Sequence, residues 1–246
     1  MEISALPWDC AVILAALAIV VPWRGTVRVH KLLATPQLET RDRMAIYGST
    51  TAFQWIAAGI TVWRTYVRGW SPASLGLSLR DPAMTIGMGT ALALLVAILQ
   101  FASLRQLSRT PAAQHGISYQ MLRKLMPQST VEVFPFVALV ITVSVCEEFL
   151  YRGFVFAALA RLFHDSAVVA VLGSTAIFAV GHLYQGRPGL ITTFILGLIF
   201  AAMRVWTGSL VPCIIVHLVT DLVAGIAGPR MLQRSGSAHS AALPEA

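Results

Sequence analysis

Seven long apolar runs dominate the chain and restrict what it can fold into. Each is near the roughly 20 residues that an α-helix needs to cross a hydrocarbon core of about 30 Å. The composition agrees, since 57% of the residues are hydrophobic and only 12% are charged, which is not typical of a soluble globular domain. We therefore predict an all-α fold, a polytopic membrane helix bundle with about seven transmembrane helices. The runs are Trp8–Trp23, Met44–Trp63, Ala83–Ala102, Val133–Phe156, Ala167–Tyr184, Leu190–Trp206 and Leu210–Ala227.

The basic residues lie mainly between the runs, where they report membrane orientation. Twelve of the 18 Lys and Arg fall on one side of the predicted bundle, and the side richer in Lys and Arg is normally cytoplasmic. We expect a multi-pass protein of the cytoplasmic (inner) membrane, with the N-terminus outside and the C-terminus inside. Topology explains the net charge of +7, so no nucleic-acid partner is predicted. The twelve are Arg24, Arg28, Lys31, Arg41, Arg43, Arg105, Arg109, Arg123, Lys124, Arg187, Arg230 and Arg234.

Ionisable residues within the apolar runs are concentrated in the second half of the chain. We interpret residues 1–132 as an N-terminal scaffold of three spans and their cytoplasmic loops, with the first span retained rather than cleaved. Residues 133–228, which hold spans four to seven, are the predicted core that carries the chemistry, and residues 229–246 are a predicted disordered tail. The scattered cysteines are interpreted as small buried hydrophobic residues.

The fourth run contains three charges, in the segment VSVCEEFLYRGFVF at 143–156. Because the apolar stretch is too long for one perpendicular span, it predicts either a long tilted helix or a broken one. Each charge at a helix centre costs about 2.5 to 3.5 kcal/mol. Glu148 and Arg152 are four residues apart, so they share a helix face and can form a supporting ion pair. Glu147 points about 100° away and remains unexplained by that pair.

Two later runs add polar groups that can converge on Glu147. His182 ends the segment FAVGH, and His217 precedes Asp221 by one helical turn. Glu147 would take a proton from water that His182 orients, while His217 would hydrogen-bond the developing oxyanion. The same residue types also fit a metal, in which case Glu147, His182 and His217 would hold Zn²⁺. The residues alone leave both versions open.

Three motifs in this order resemble the CAAX protease and bacteriocin-processing (Abi) family of intramembrane proteases. EEFLYR at 147–152 matches E-E-x-x-x-R, FAVGH at 178–182 matches F-x-x-x-H, and HLVTD at 217–221 matches H-x-x-x-[ND]. Each motif is weak alone, but three in separate apolar runs are specific. The resemblance is to type II CAAX prenyl endopeptidases in particular, and it implies a helix bundle with an intramembrane polar cavity.

The resemblance also implies roles for these residues. Glu147 and His182 would activate water, and His217 and Asp221 would stabilise the oxyanion. Many relatives carry Asn in place of Asp221, and an ionised carboxylate cannot donate to an oxyanion, so we expect Asp221 to orient His217. Metal-independent water activation is favoured, with Zn²⁺ as the alternative. The implied partners are the lipid bilayer and a membrane-associated protein or peptide substrate, with no feature that specifies an oligomeric state.

Two other functions use similar residues. A proton-coupled transporter also needs Glu, His and Asp within the membrane, but no internal repeat accompanies them here. A peptide-binding or self-immunity protein would keep the fold without catalysis. The complete motif set favours a working hydrolase over both.

Overall fold

The computed structural model describes residues 6–109 and 116–231. Within these ranges nearly all of the chain is helical, and an isolated antiparallel bridge joins Leu77 to Ser209. This confirms the predicted all-α fold. The helices are α1 (Trp8–Ala34), α2 (Thr40–Val67), α3 (Pro82–Arg109), α4 (Ile117–Leu125), α5 (Thr130–Leu162), α6 (Ala167–Val180), α7 (Gly186–Thr207) and α8 (Val211–Met231).

Each predicted run lies largely within one of these helices, but the count of seven spans is not confirmed. Among the described residues, five helical segments are long and apolar enough to cross a membrane, namely α1, α3, α5, α8 and α7 with its preceding turn. Helix α6 is apolar but shorter. The chain is therefore an integral membrane protein by these five helices, with α2 and α6 packed among them.

The surface of α2 nevertheless has the character of a helix that faces lipid. Trp55, Ile60 and Trp63 are exposed, whereas Gln54 and Thr61 are buried. A helix with large apolar side chains outside and polar ones inside would be unstable against water. The inverted pattern is consistent with a lipid-facing position for α2.

Several helices extend beyond the predicted runs. Helix α1 continues past Trp23 to Ala34, and α3 continues to Arg109, so parts of both predicted connections are helical. The positive charges mark where a helix leaves the membrane rather than where it ends. The predicted disordered tail is helical as far as Met231, and the rest of it lies outside the described residues.

Helix α5 is the centre of the bundle. It is one continuous helix of 33 residues, about 50 Å at 1.5 Å per residue, so the predicted long helix is continuous rather than broken. The segment Glu148–Val155 within it is π-helical. Such wide turns are rare and frequently occur at functional sites. Arg152, Phe154 and Val155 in this segment are fully buried.

The other helices pack around α5 in two groups. Helix α2 packs against its first half, α6 packs against its second half, and α8 contacts both α3 and α5. The main core surrounds the second half of α5, where the Phe154 and Trp70 rings stack with centroids 5.7 Å apart. Cys10, Cys146 and Cys213 are buried with free thiols.

Ion pairs fix α2 at both ends. Near its start, the buried Arg43 donates to both carboxylate oxygens of the buried Glu132 on α5, over 2.8 and 2.9 Å. Near its other end, the partly exposed Arg64 and Arg68 both donate to Asp9 of α1. The first pair holds α2 against α5, and the second holds it against α1.

Candidate active site

The π-helical segment of α5 brings a carboxylate and a guanidinium together at the centre of the protein. Arg152 Nη1 donates to Glu148 Oε1 over 3.0 Å, and both side chains are fully buried. Because two buried charges are costly unless they are paired and hydrogen-bonded, each makes the other tolerable in this apolar core. The ion pair occupies the positions expected from the spacing of four.

His217 of α8 joins this pair. Its Nδ1 lies 2.8 Å from Glu148 Oε1, so a single carboxylate oxygen accepts from both Arg152 and His217. The other ring nitrogen, Nε2, lies 3.5 Å from Asp221 Oδ2. His217 is buried, whereas 37% of the Asp221 side chain is exposed. Glu148 therefore holds the His217 ring more closely than Asp221 does.

His182 follows the end of α6 rather than lying within it. The helix ends at Val180, four residues before the end of the predicted run. With 14 residues, α6 is about 21 Å long, shorter than a hydrocarbon core of about 30 Å. Within a membrane protein, non-helical backbone such as that at His182 is tolerated where it lines a cavity.

The orientation of His182 leaves one ring nitrogen, Nε2, able to accept a hydrogen bond. Its Nδ1 lies 2.9 Å from the carbonyl oxygen of Phe178. Because a carbonyl can only accept, Nδ1 carries the hydrogen, and Nε2 of the neutral ring is an acceptor. The side chain is half-buried, so Nε2 can meet water or a substrate.

Aromatic rings fill the space between these groups. The Phe178 ring lies 4.5 Å from the His182 ring, centroid to centroid, and the Arg152 guanidinium carbon is 3.9 Å from the Phe178 centroid. On the other side, Phe200 of α7 lies 5.2 Å from that guanidinium carbon and 6.0 Å from the His217 ring. Phe178 and Phe200 thus enclose the Arg152 cation and exclude water from it.

Glu147 is half-buried beside this cluster, and its two oxygens differ. Oε1 accepts a hydrogen bond from Gln54 Nε2 of α2 over 2.8 Å. Oε2 is buried and has no hydrogen-bond partner among the described residues. His182 and His217 both lie within Coulombic range of the carboxyl group. The predicted site residues of α5, α6 and α8 therefore come together in space.

The sequence does not predict two residues that contact the site, Gln54 and Phe200. Gln54 is uncharged, so it does not stand out among the ionisable residues of the apolar runs, and α2 is interpreted as scaffold. The available signal is a single amide within the uncharged stretch Met44–Trp63. Phe200 gave no such signal, since it is one of many apolar residues in its run.

The residues suggested for a metal do not form a ligand cluster in this arrangement. Among the residues that the structure describes, no group of three or more His, Cys, Asp and Glu side chains could hold a metal ion. His217 Nδ1 faces Glu148 and His182 Nδ1 faces a carbonyl, so Nε2 is the remaining nitrogen of each ring. The Zn²⁺ alternative stays a prediction.

Comparison with known proteins finds a match to the part of the chain that contains this cluster. Residues 129–223 match the family described as type II CAAX prenyl endopeptidase Rce1-like. Neither the curated proteins nor the solved structures contain a match to the chain. The matched segment is less than half of the chain, but it runs from the start of α5 into α8 and includes all six predicted site residues.

By its apolar helices the chain is an integral membrane protein, and its matched segment is similar to a family described as endopeptidases. The match supports membership of the CAAX protease and bacteriocin-processing family, which the three sequence motifs resemble. It points in general to CAAX intramembrane endopeptidase activity. Helices α1 to α3 lie outside the matched segment.

Proposed function

We propose that this protein is an intramembrane endopeptidase that hydrolyses a peptide bond of a membrane-associated protein or peptide, near the membrane surface. One observation carries the proposal. A carboxyl oxygen, Glu147 Oε2, is buried without a hydrogen-bond partner among the described residues. His182 and His217 are both close enough to interact electrostatically with this carboxyl group. An unpaired buried oxygen is costly, and a general base needs an oxygen that is free to accept a proton from water.

In the first step, water attacks the carbonyl carbon of the scissile bond. Glu147 Oε2 takes one proton of the water as the new carbon–oxygen bond forms. His182 Nε2, an acceptor in the neutral ring, takes a hydrogen bond from the same water and orients it. The carbonyl oxygen becomes a negatively charged oxyanion, and Glu147 becomes a neutral acid.

His217 is the donor that would stabilise the oxyanion. Because Nδ1 already donates to Glu148, donation must come from Nε2, which requires a proton on both ring nitrogens. The carboxylates of Glu148 and Asp221 face the two nitrogens and balance that charge. Asp221 would therefore orient His217 and favour its protonated form, rather than donate a hydrogen bond to the oxyanion itself. Removal of a preorganised donor of this kind lowers kcat by roughly 100-fold to 1,000-fold.

In the second step, the tetrahedral intermediate breaks down. The carbon–nitrogen bond cleaves, the carbonyl forms again, and the leaving amine takes the proton held by Glu147. The products are a carboxylic acid and an amine, and the enzyme returns to its starting state. Because water and the side chains supply every proton, we propose metal-independent water activation.

The substrate class follows from the environment of the site. The matching family is described as type II CAAX prenyl endopeptidase Rce1-like. Glu147, His182 and Asp221 retain partial exposure, while the other three predicted site residues are buried. We infer that a lipid-anchored or membrane-bound segment enters from this partly exposed side. The positive-inside count assigns that side to the cytoplasm.

The experiment that tests this function compares membrane proteomes. A strain that carries the wild-type protein is compared with a deletion strain and with one that carries Glu147→Ala. We expect one or more membrane-associated proteins to accumulate uncleaved, with intact C-terminal or precursor peptides, in both the deletion and variant strains.

A non-catalytic binding protein gives the opposite result. In that case Glu147→Ala would restore the wild-type peptide pattern to the deletion strain, and hydrolysis would not be the function. Immunoblotting of membrane fractions for equal amounts of both proteins controls for a variant that fails to insert.

A further inference from the structure

Gln54 is a polar residue in the middle of α2, outside the segment that matches the family. Its side chain is 8% exposed, and its Nε2 lies 2.8 Å from Glu147 Oε1. The two residues are 93 positions apart in the chain. A buried amide needs a hydrogen-bond partner, and the partner of Nε2 here is the proposed base.

The contact makes the two oxygens of Glu147 inequivalent. Since an ionised carboxylate can only accept, the amide of Gln54 must direct its NH₂ group to Oε1. The fixed Oε1 prevents the carboxyl group from rotating freely, and Oε2 is left as the buried oxygen without a hydrogen-bond partner among the described residues. One oxygen is thus held by α2 while the other remains available for water.

The position of α2 is itself fixed by the protein. Arg43 joins Glu132 of α5 eleven residues before Gln54, and Arg64 joins Asp9 of α1 ten residues after it. The first pair holds α2 against α5, which carries Glu147, and the second holds α2 against α1. Gln54 therefore lies between two fixed points of its helix.

We propose that Gln54 is a positioning residue, which orients Glu147 by holding Oε1 and thereby presents Oε2 to the reacting water. The inference rests on the proposed function, because it assigns α2 a part in the same hydrolysis. It extends the site beyond the three motifs to a helix that the family match does not cover.

The test measures peptide cleavage by the purified full-length protein in lipid, using a substrate peptide found in the proteomic comparison. Gln54→Met keeps the length of the side chain but removes the donor. We expect kcat to fall by roughly 10-fold to 100-fold, the range for one hydrogen bond to a charged group. KM should stay within about threefold, because Gln54 contacts Glu147 and not the substrate.

Trp55→Phe is the matched control. Trp55 Nε1 donates to Thr142 Oγ1 over 3.1 Å, so it forms the neighbouring hydrogen bond between the same two helices. Loss of the hydrogen bond between Trp55 and Thr142 should leave kcat unchanged if the fall in kcat of Gln54→Met arises from the lost contact with Glu147. A fall in kcat as large as that of Gln54→Met would overturn the inference, because helix packing alone would then explain both results.

Two further variants separate positioning from folding. Gln54→His restores an N–H donor of similar reach and should regain most of the lost kcat, whereas Gln54→Asn keeps a buried amide that is too short and should not. Wild-type kcat in Gln54→Met or Gln54→Asn, with Glu147→Gln inactive, would overturn the inference and leave the proposed function standing. Absence of cleavage by the wild-type protein would overturn both.

Discussion

Glu148 Oε1 lies 2.8 Å from His217 Nδ1, although the two residues are 69 positions apart and belong to different helices. The same oxygen accepts from Arg152 Nη1 over 3.0 Å. One buried carboxylate therefore neutralises Arg152 and orients His217. The second Glu of the E-E-x-x-x-R motif holds the H-x-x-x-D motif in place, which links the two motifs physically.

Removal of the positive partner should destabilise the fold. Arg152→Met leaves Glu148 fully buried with only His217 as its partner, and loss of one member of a buried pair costs about 3 to 5 kcal/mol. Arg152→Met with Glu148→Gln should be less destabilised than Arg152→Met alone, because no uncompensated charge remains. Equilibrium unfolding in mixed micelles measures both.

Arg105→Met is the control for this series, since Arg105 is exposed and its loss should change the free energy of unfolding by less than about 0.5 kcal/mol. An Arg152→Met protein as stable as wild type would show that Glu148 does not depend on this ion pair.

Asp221 should tolerate conversion to the amide. Its contact with His217 is 3.5 Å, longer than a normal hydrogen bond, and the ring is already held by Glu148. We expect Asp221→Asn to keep kcat within about tenfold of wild type, whereas Glu148→Gln loses more than about 100-fold. Steady-state cleavage assays compare the two. Equal losses in both variants would contradict the unequal roles assigned here.

A methyl group at Gly197 of α7 should disturb the packing around Arg152. A Cβ at this position would lie 3.0 Å from Thr175 Cγ2 and 3.1 Å from Arg152 Nη2. Because overpacking in a buried site costs typically 1 to 3 kcal/mol, Gly197→Ala should lower both stability and kcat. Unfolding and cleavage assays on the same preparation check this.

Gly87→Ala provides the comparison, because a Cβ at Gly87 meets no atom within 4 Å. Ala in a helix interior is favoured over Gly by roughly 0.5 to 1 kcal/mol, so this variant should be as stable as wild type or more so. If Gly197→Ala behaves like Gly87→Ala, the close packing of α7 against Arg152 is not a constraint.

The ion pair between Arg43 and Glu132 should stabilise the packing of α2 against α5. Glu132 is fully buried, and both of its oxygens accept from Arg43. Glu132→Ala should therefore lower the free energy of unfolding by about 3 kcal/mol or more, since Arg43 is left buried without its partner. Arg41→Met, a change at an exposed neighbour, should have little effect. Equal unfolding transitions for the two variants would contradict this role.

The sequence predicts local relationships in this protein better than distant ones. The pairing of Glu148 with Arg152 follows from helical spacing, and the apolar runs identify the helices. Helix ends were less predictable, because α1 continues beyond Pro22 and Trp23 into a basic segment. Charge indicates where a helix leaves lipid, and it does not stop the helix.

The contacts of Glu147 and Glu148 with distant helices could not be predicted in the same way. Gln54 and Glu147 meet because α2 packs along α5, a relationship between residues 93 positions apart. His182 lies outside α6 because that helix ends at Val180, whereas Leu183 and Tyr184 extend the apolar pattern of the sequence. Packing between helices decides both features, and it leaves no local periodic signal.

The central claim, that Glu147 is the base of a hydrolase, is tested most directly by one isosteric substitution. Wild-type and Glu147→Gln proteins are reconstituted in lipid with the substrate peptide, and the cleaved fragments are measured by mass spectrometry. We expect cleavage by the wild type and a loss of roughly 100-fold to 10,000-fold in kcat for Glu147→Gln, with an unchanged melting transition. Equal cleavage by the two proteins would contradict the claim.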